Sequence, residues 1–354
     1  MELAVERVED RALVLPGLTV ACPGEAALFD GPDLRFDPRQ GGRPGADPAH
    51  LREALAFGVV NTAYHLDRAL RWVSAMRGRA LPPLTVRVGA HAAQNPGWGG
   101  GHYRLPATGY STLPEEEAPA VTGEIHLGTG GRLVSLEGRA YLHTSSHDPA
   151  IVCHEFGHHL LSHTADLRCN RRRPPAEQTN RRTPLDEGIS DYVAAVLIGT
   201  PDIYGWHRAS VPSWSERRRR LDVPRTMAHF VGGHRSDPHA DGAIWSAALW
   251  AARTEVERRG IAPERFDAVM VRSLDRIGRV GEGLPTEEAQ RRRRRFAGAL
   301  EAILEEDAAG GGEMADIVES VFAGRGIELG TANNAARWRA RRARPVPAPI
   351  AASA

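Results

Sequence analysis

Residues 150–163 read AIVCHEFGHHLLSH, with four histidines, one glutamate and one cysteine in fourteen positions. An α-helix turns by about 100° per residue, so with His154 at zero, His158 falls at about 40° and Glu155 at about 100°. These three share a face. On the same projection His159 lies near about 140° and His163 near about 180°, which turns both away from His154. The working motif is therefore His154-Glu155-x-x-His158, a spacing that brings two imidazoles to one metal ion with a carboxylate beside them. His159 and His163 are expected to be solvent-facing or hydrogen-bonded structural histidines.

Two helical ligands need a third. Asp148-Pro149 makes a helix start for this segment, and Thr183-Pro184 with Asp186 starts the next helix, LDEGISDYVAAVLIG. Glu187 and Asp191 are four apart and share a face of that second helix. Glu187 can complete the metal site, while Asp191 accepts the other N–H of a ligating histidine, fixing its tautomer and raising its basicity. The alternative continuation along the first helix, the metzincin pattern, needs Gly at 161 and His at 164. Leu161 and Thr164 stand there instead.

HEFGH followed by DEGISDY resembles the gluzincin zinc metallopeptidases of the thermolysin and fungalysin group. HADGAIWSAALW and VFAGRGI (321–327) are similar to later segments of that group. VVNTAYHLDRALRW looks like its long N-terminal helix and GEIHLGTGG like its last strand before the zinc helix, so the resemblance spans about residues 50–332. It implies an α+β, zincin-like fold: a mixed N-terminal lobe with a β-sheet and the zinc helix, then a mainly helical C-terminal lobe. It also implies a peptidase that hydrolyses peptide bonds through a zinc-activated water, with Zn2+ held by His154, His158 and Glu187 and with Glu155 as general base. By the same resemblance His239 donates to the oxyanion, oriented by Asp237 or Asp241, and GGGHYRL around His102 and Tyr103 supplies the substrate-binding edge strand. The group's oxyanion tyrosine has no counterpart, because residues 159–186 contain none.

Composition sets the outer limits. With 354 residues, 42% of them hydrophobic and 25% charged, the chain can bury a substantial core. All 45 basic residues are arginine, against 44 acidic ones, a balance that offers little general affinity for nucleic acid. Arginine runs at 217–220 and 291–295 raise nucleic-acid binding as an alternative, but neither is interleaved with stacking aromatics and a solvated helix face is the expectation. A zinc scaffold without turnover is the other alternative, opposed by the presence of Glu155. Cys22, Cys153 and Cys169 form no CxxC pair, so no disulfide framework is expected, and Cys153 is read as a buried structural thiol. No apolar run approaches the ~20 residues of a membrane span and no signal peptide is visible, which reads as cytoplasmic, although the resembled group is usually secreted. The expected partner is a peptide or protein substrate, with no nucleic acid and no membrane.

The expected organisation is an N-terminal extension over 1–48, a lobe over 49–180, a helical lobe over 181–335 and a mobile tail over 336–354. Pro48 should begin the first long helix with Asp47 as its cap, and one long arginine-rich helix is expected near 286–307.

Overall fold

The structure, a computed structural model, describes residues 3–24, 27–29, 48–92, 98–105, 123–129, 132–136, 139–203, 219–233 and 237–330. Its first half is built on a six-stranded sheet. The strands are β1 (Arg7–Glu9), β2 (Ala12–Leu15), β3 (Leu18–Ala21), β4 (Leu84–Ala90), β5 (Gly101–Arg104) and β6 (Glu124–Gly128), in spatial order β1-β2-β3-β4-β6-β5. β4 runs parallel to both β3 and β6, and the other pairs are antiparallel. A parallel β3–β4 pair needs a crossover, and α1 (Pro48–Arg77) lies within it. Apolar residues at helical spacing on α1, among them Ala63, Leu66, Ala69 and Val73, are fully buried with Leu84, Val86 and Val88 of β4. β7 (Arg132–Leu136) and β8 (Arg139–His143) make a separate antiparallel hairpin.

The second half is helical: α2 (Pro149–His163), α3 (Pro184–Ile198), α4 (Pro238–Arg258), α5 (Pro263–Arg279), α6 (Thr286–Arg293), α7 (Phe296–Ala309) and α8 (Ala315–Ala323). The fold is α+β. Both central helices start as their sequence predicts. Asp148 accepts from the Ala150 N–H at 2.8 Å ahead of Pro149, and the Thr183 hydroxyl accepts from the Asp186 N–H at 3.3 Å ahead of Pro184. α3 stops at Gly199, whose φ of 76° suits a left-handed cap.

Two expectations need correction. Residues 7–21 are part of the main sheet, with Leu13, Leu15, Leu18 and Val20 buried in the core, and do not form an appended segment. The arginine-rich stretch near 286–307 is two helices, broken where Arg295 is extended at φ −82°, ψ 130°. The break turns Phe296 against Trp245, with ring centroids 5.2 Å apart. It also lets Arg293 and Arg294 cap carbonyls after α2: Arg293 reaches Asp166 O at 3.2 Å and Arg294 reaches Leu167 O at 3.1 Å. Aromatic burial and those carbonyls outweigh the helical propensity of the run. Asp47 and the 336–354 tail lie outside the described residues. Among the described residues, no helix is long and apolar enough to cross a membrane.

Candidate metal centre

Glycine sets how near the three central helices come. A Cβ on Gly157 of α2 would stand 2.6 Å from Ser190 Cα of α3, and one on Gly188 of α3 would stand 2.4 Å from the Gly242 carbonyl of α4. With no side chain at these points the backbones meet directly, and Glu187, fully buried, is wedged between α2 and α4.

His154 and His158 share a face, as their spacing predicts, and their Nε2 atoms are 3.2 Å apart. Glu187 Oε2 is 3.2 Å from His154 Nε2, and Oε1 is 3.7 Å from His158 Nε2. Ligands held at about 2.0–2.1 Å around a tetrahedral ion are about 3.3 Å from one another, so these separations fit a shared ion. The Glu187 carboxylate is fully buried and turns one oxygen to each imidazole, with the Arg182 guanidinium 3.3 Å from Oε1. A buried carboxylate needs such partners, and an ion shared with the two imidazoles would be a further one. The donor set can therefore hold a metal ion, as can the overlapping groups His154, Glu155, His158 and His154, Glu187, His239.

Each imidazole is held from behind. Asp191 Oδ1 lies 2.9 Å from His154 Nδ1, the contact expected from the four-residue spacing. Asp186, read from the sequence only as part of a helix start, performs the same service for the other ring: its Oδ1 is 2.9 Å from His158 Nδ1. Arginines hold these acids in turn, Arg168 on Asp186 and Arg219 on Asp191. Burial opposes the charge on both carboxyls, yet Arg168 with His158, and Arg219 with His154, hold them below the usual range. His154 is pushed up to about 9: burial and Arg219 work against its charge, but Asp191 and Glu187 outweigh them. Without a metal its two ring N–H groups donate to those two carboxylates, and a metal ion must displace the proton on Nε2.

Glu155 is also buried, with Oε2 3.2 Å from Arg182, whose guanidinium reaches Glu187 Oε1 at 3.3 Å. Burial disfavours the Glu155 anion, but Arg182 and the two histidines keep its carboxyl below the ordinary value. His239 opens the N-terminus of α4. Its Nδ1 is 2.9 Å from Asp237 and its Nε2 is 3.1 Å from Glu187 Oε2. Asp237 is the acid beside it, because Asp241 is engaged by the N–H groups of Val231 and Gly232 at 2.9 Å each. Burial, with Arg219 and His154, holds His239 below the ordinary imidazole value against the pull of Glu187 and Asp237.

The remaining sequence-derived residues fall outside this cluster. His159 is buried, donates to the Pro82 carbonyl at 3.2 Å and meets Tyr103 Oη at 3.4 Å, whereas His163 is half-buried. Cys153 is buried and burial pushes its thiol up to about 12, far from a nucleophile's range. Of the first arginine run, 217 and 218 lie outside the described residues, Arg219 binds Asp191, and Arg220 pairs with Asp202 at 3.2 Å. In the second run Arg292 pairs with Glu288 at 2.8 Å and Arg293 and Arg294 hold backbone carbonyls. These arginines are spent within the fold. Asp186, Arg168, Arg182 and Arg219 were not among the sequence-derived site residues. The sequence signal for Asp186 is that two imidazoles on one metal call for two carboxylates, of which Asp191 supplies one. No protein-family model matches this chain, and no curated protein sequence matches it.

Proposed function

We propose that this chain is a zinc-dependent peptidase with a zincin-like fold, its zinc held by His154, His158 and Glu187. The observation that carries this reading is the convergence of His154 Nε2, His158 Nε2 and the buried Glu187 carboxylate, separated by 3.2, 3.2 and 3.7 Å. Zinc supplies Lewis acidity there and lowers the pKa of a water towards ~7. Asp191 and Asp186 hold the two rings in the tautomer that leaves Nε2 free to ligate. Glu155 accepts a proton from the attacking water and passes it to the leaving amine, while Arg182 keeps the carboxylate ionised and ready to accept. As the substrate carbonyl oxygen gains charge, His239 donates to it from Nε2 as the imidazolium, which that charge and Asp237 on Nδ1 favour.

β5 is an edge of the sheet, and a Cβ on Gly101 would stand 3.0 Å from Glu155 Cγ. A peptide added along that edge is brought to the general base, and backbone pairing gives affinity with little dependence on side chains. The test is a peptide-library digest read by mass spectrometry, run on the wild type and on Glu155→Gln with zinc measured on the same samples. The variant should keep its zinc and lose at least ~10²-fold in turnover, the low end for a missing general base. Activity within a few-fold of wild type, at full zinc, rejects Glu155 as the base; no cleavage by the zinc-loaded wild type rejects the peptidase assignment.

A further inference from the structure

We propose a second metal site, formed by His91, His102 and His126 on the sheet face opposite the motif helix, which binds a divalent transition ion of the zinc class independently of the centre described above. The three residues come from three places in the sheet: His91 just after β4, His102 on β5 and His126 on β6. His102 and His126 are paired directly across the β5–β6 ladder, so their side chains leave the same face. Side chains alternate along a strand, so Gly101, beside Glu155, and Tyr103, packed on His159, belong to the other face.

Three ring nitrogens converge. His91 Nε2 is 3.3 Å from His102 Nε2 and 3.0 Å from His126 Nδ1, and His102 Nε2 is 3.2 Å from that same Nδ1. These spacings approach the about 3.3 Å between nitrogens on one tetrahedral zinc. Hydrogen bonds alone cannot satisfy the triangle. His126 donates from Nε2 to Glu124 Oε2 at 2.9 Å, which leaves only a lone pair on Nδ1. If both His91 and His102 carry a proton on Nε2, the two hydrogens meet; if only one does, two lone pairs meet. A cation that accepts three lone pairs relieves every contact at once.

Other features are those of a built ligand set. Glu124 orients His126 as a carboxylate orients a zinc-bound imidazole. It is itself buried, with Arg87 Nε 3.6 Å away. Trp98 covers the cluster, its ring 4.7 Å from that of His102 and 5.2 Å from that of His91. His91 is held at φ 61°, a conformation a non-glycine residue adopts only when its surroundings demand it, and here it aims the imidazole into the triangle. Three neutral nitrogens without a thiolate suit zinc or copper(II) over magnesium or calcium. An ion there clips the edge strand β5 to β6 and to the end of β4, which steadies the strand that carries Gly101 against Glu155.

The test is metal stoichiometry on the full chain, stripped with chelator, reloaded with zinc and dialysed. Wild type should retain two zinc ions per chain. His102→Gln should retain one, as should His91→Asn, chosen because asparagine tolerates positive φ. Glu187→Ala should also retain one, and Glu187→Ala combined with His91→Asn none. Two ions in both histidine variants, or a single wild-type ion that disappears only with Glu187→Ala, overturns the second site. A single wild-type ion that survives Glu187→Ala and is lost in His91→Asn keeps the second site and rejects the zinc centre of the proposed function.

Discussion

Asp186→Asn separates the two services this buried acid performs. Asparagine keeps the volume and an oxygen that accepts from His158 Nδ1–H, now 2.9 Å from the carboxylate, but it removes the charge. Loss of such a carboxylate weakens metal binding by about 10–100-fold, or about 1.4–2.7 kcal/mol. Folding is affected through Arg168, which is 7% exposed and keeps only the Arg181 carbonyl at 2.8 Å as an acceptor of comparable geometry. Removing one partner of a buried pair costs about 3–5 kcal/mol, and the low end applies because the asparagine oxygen still accepts. Zinc affinity by chelator competition and urea unfolding of the metal-free protein read the two effects apart. Adding Arg168→Met should recover part of the stability, since no charge is left stranded, and none of the zinc affinity. A folded Asp186→Asn protein whose zinc affinity stays within twofold of wild type would refute the reasoning, leaving Asp186 as a partner of Arg168 alone.

His239→Ala should retain zinc and lose about 10²–10³-fold in turnover if the ring donates to the developing oxyanion. Loss of zinc would instead make His239 a ligand, a role its 3.1 Å contact with Glu187 permits. His147 is buried, donates to the Ala54 carbonyl at 2.7 Å and is held down to about 4, burial outweighing that bond. The folded protein therefore keeps it neutral while the unfolded chain takes up a proton near about 6.5. Its contribution is complete above that pH and falls as pH drops towards 4, by about 2 kcal/mol at pH about 5. His147→Gln should flatten the loss of unfolding free energy between neutral and that pH by a similar amount, and an unchanged slope counts against the assignment. Gly157→Ala places a methyl 2.6 Å from Ser190 Cα, so it should lower stability by about 1–3 kcal/mol or more and weaken zinc binding as α3 is pushed off α2. An unchanged Tm and zinc affinity would show that the helices can part without strain.

Helix geometry made part of the centre legible without coordinates. Residues one turn apart on one helix meet because the backbone repeats, so His154 with His158, and Glu187 with Asp191, could be paired from spacing alone. The helix starts at Asp148-Pro149 and Thr183-Pro184 were equally local, since a cap needs only its own first turn. Everything that crosses between segments was settled by the tertiary structure. Asp186 reaches His158 over 28 residues, Arg182 reaches Glu155 over 27 and Arg219 reaches Asp191 over 28, and no local rule selects one arginine from the loops that carry them. The break before Phe296 answers to an aromatic cluster and to carbonyls elsewhere in the chain, which outweigh the helical preference of its own residues. The histidine triangle shows the difference most plainly. His91, His102 and His126 stand 11, 24 and 35 residues from one another pairwise, so only the register of β4, β5 and β6 brings their nitrogens together, and register is a property of paired strands that no single strand contains.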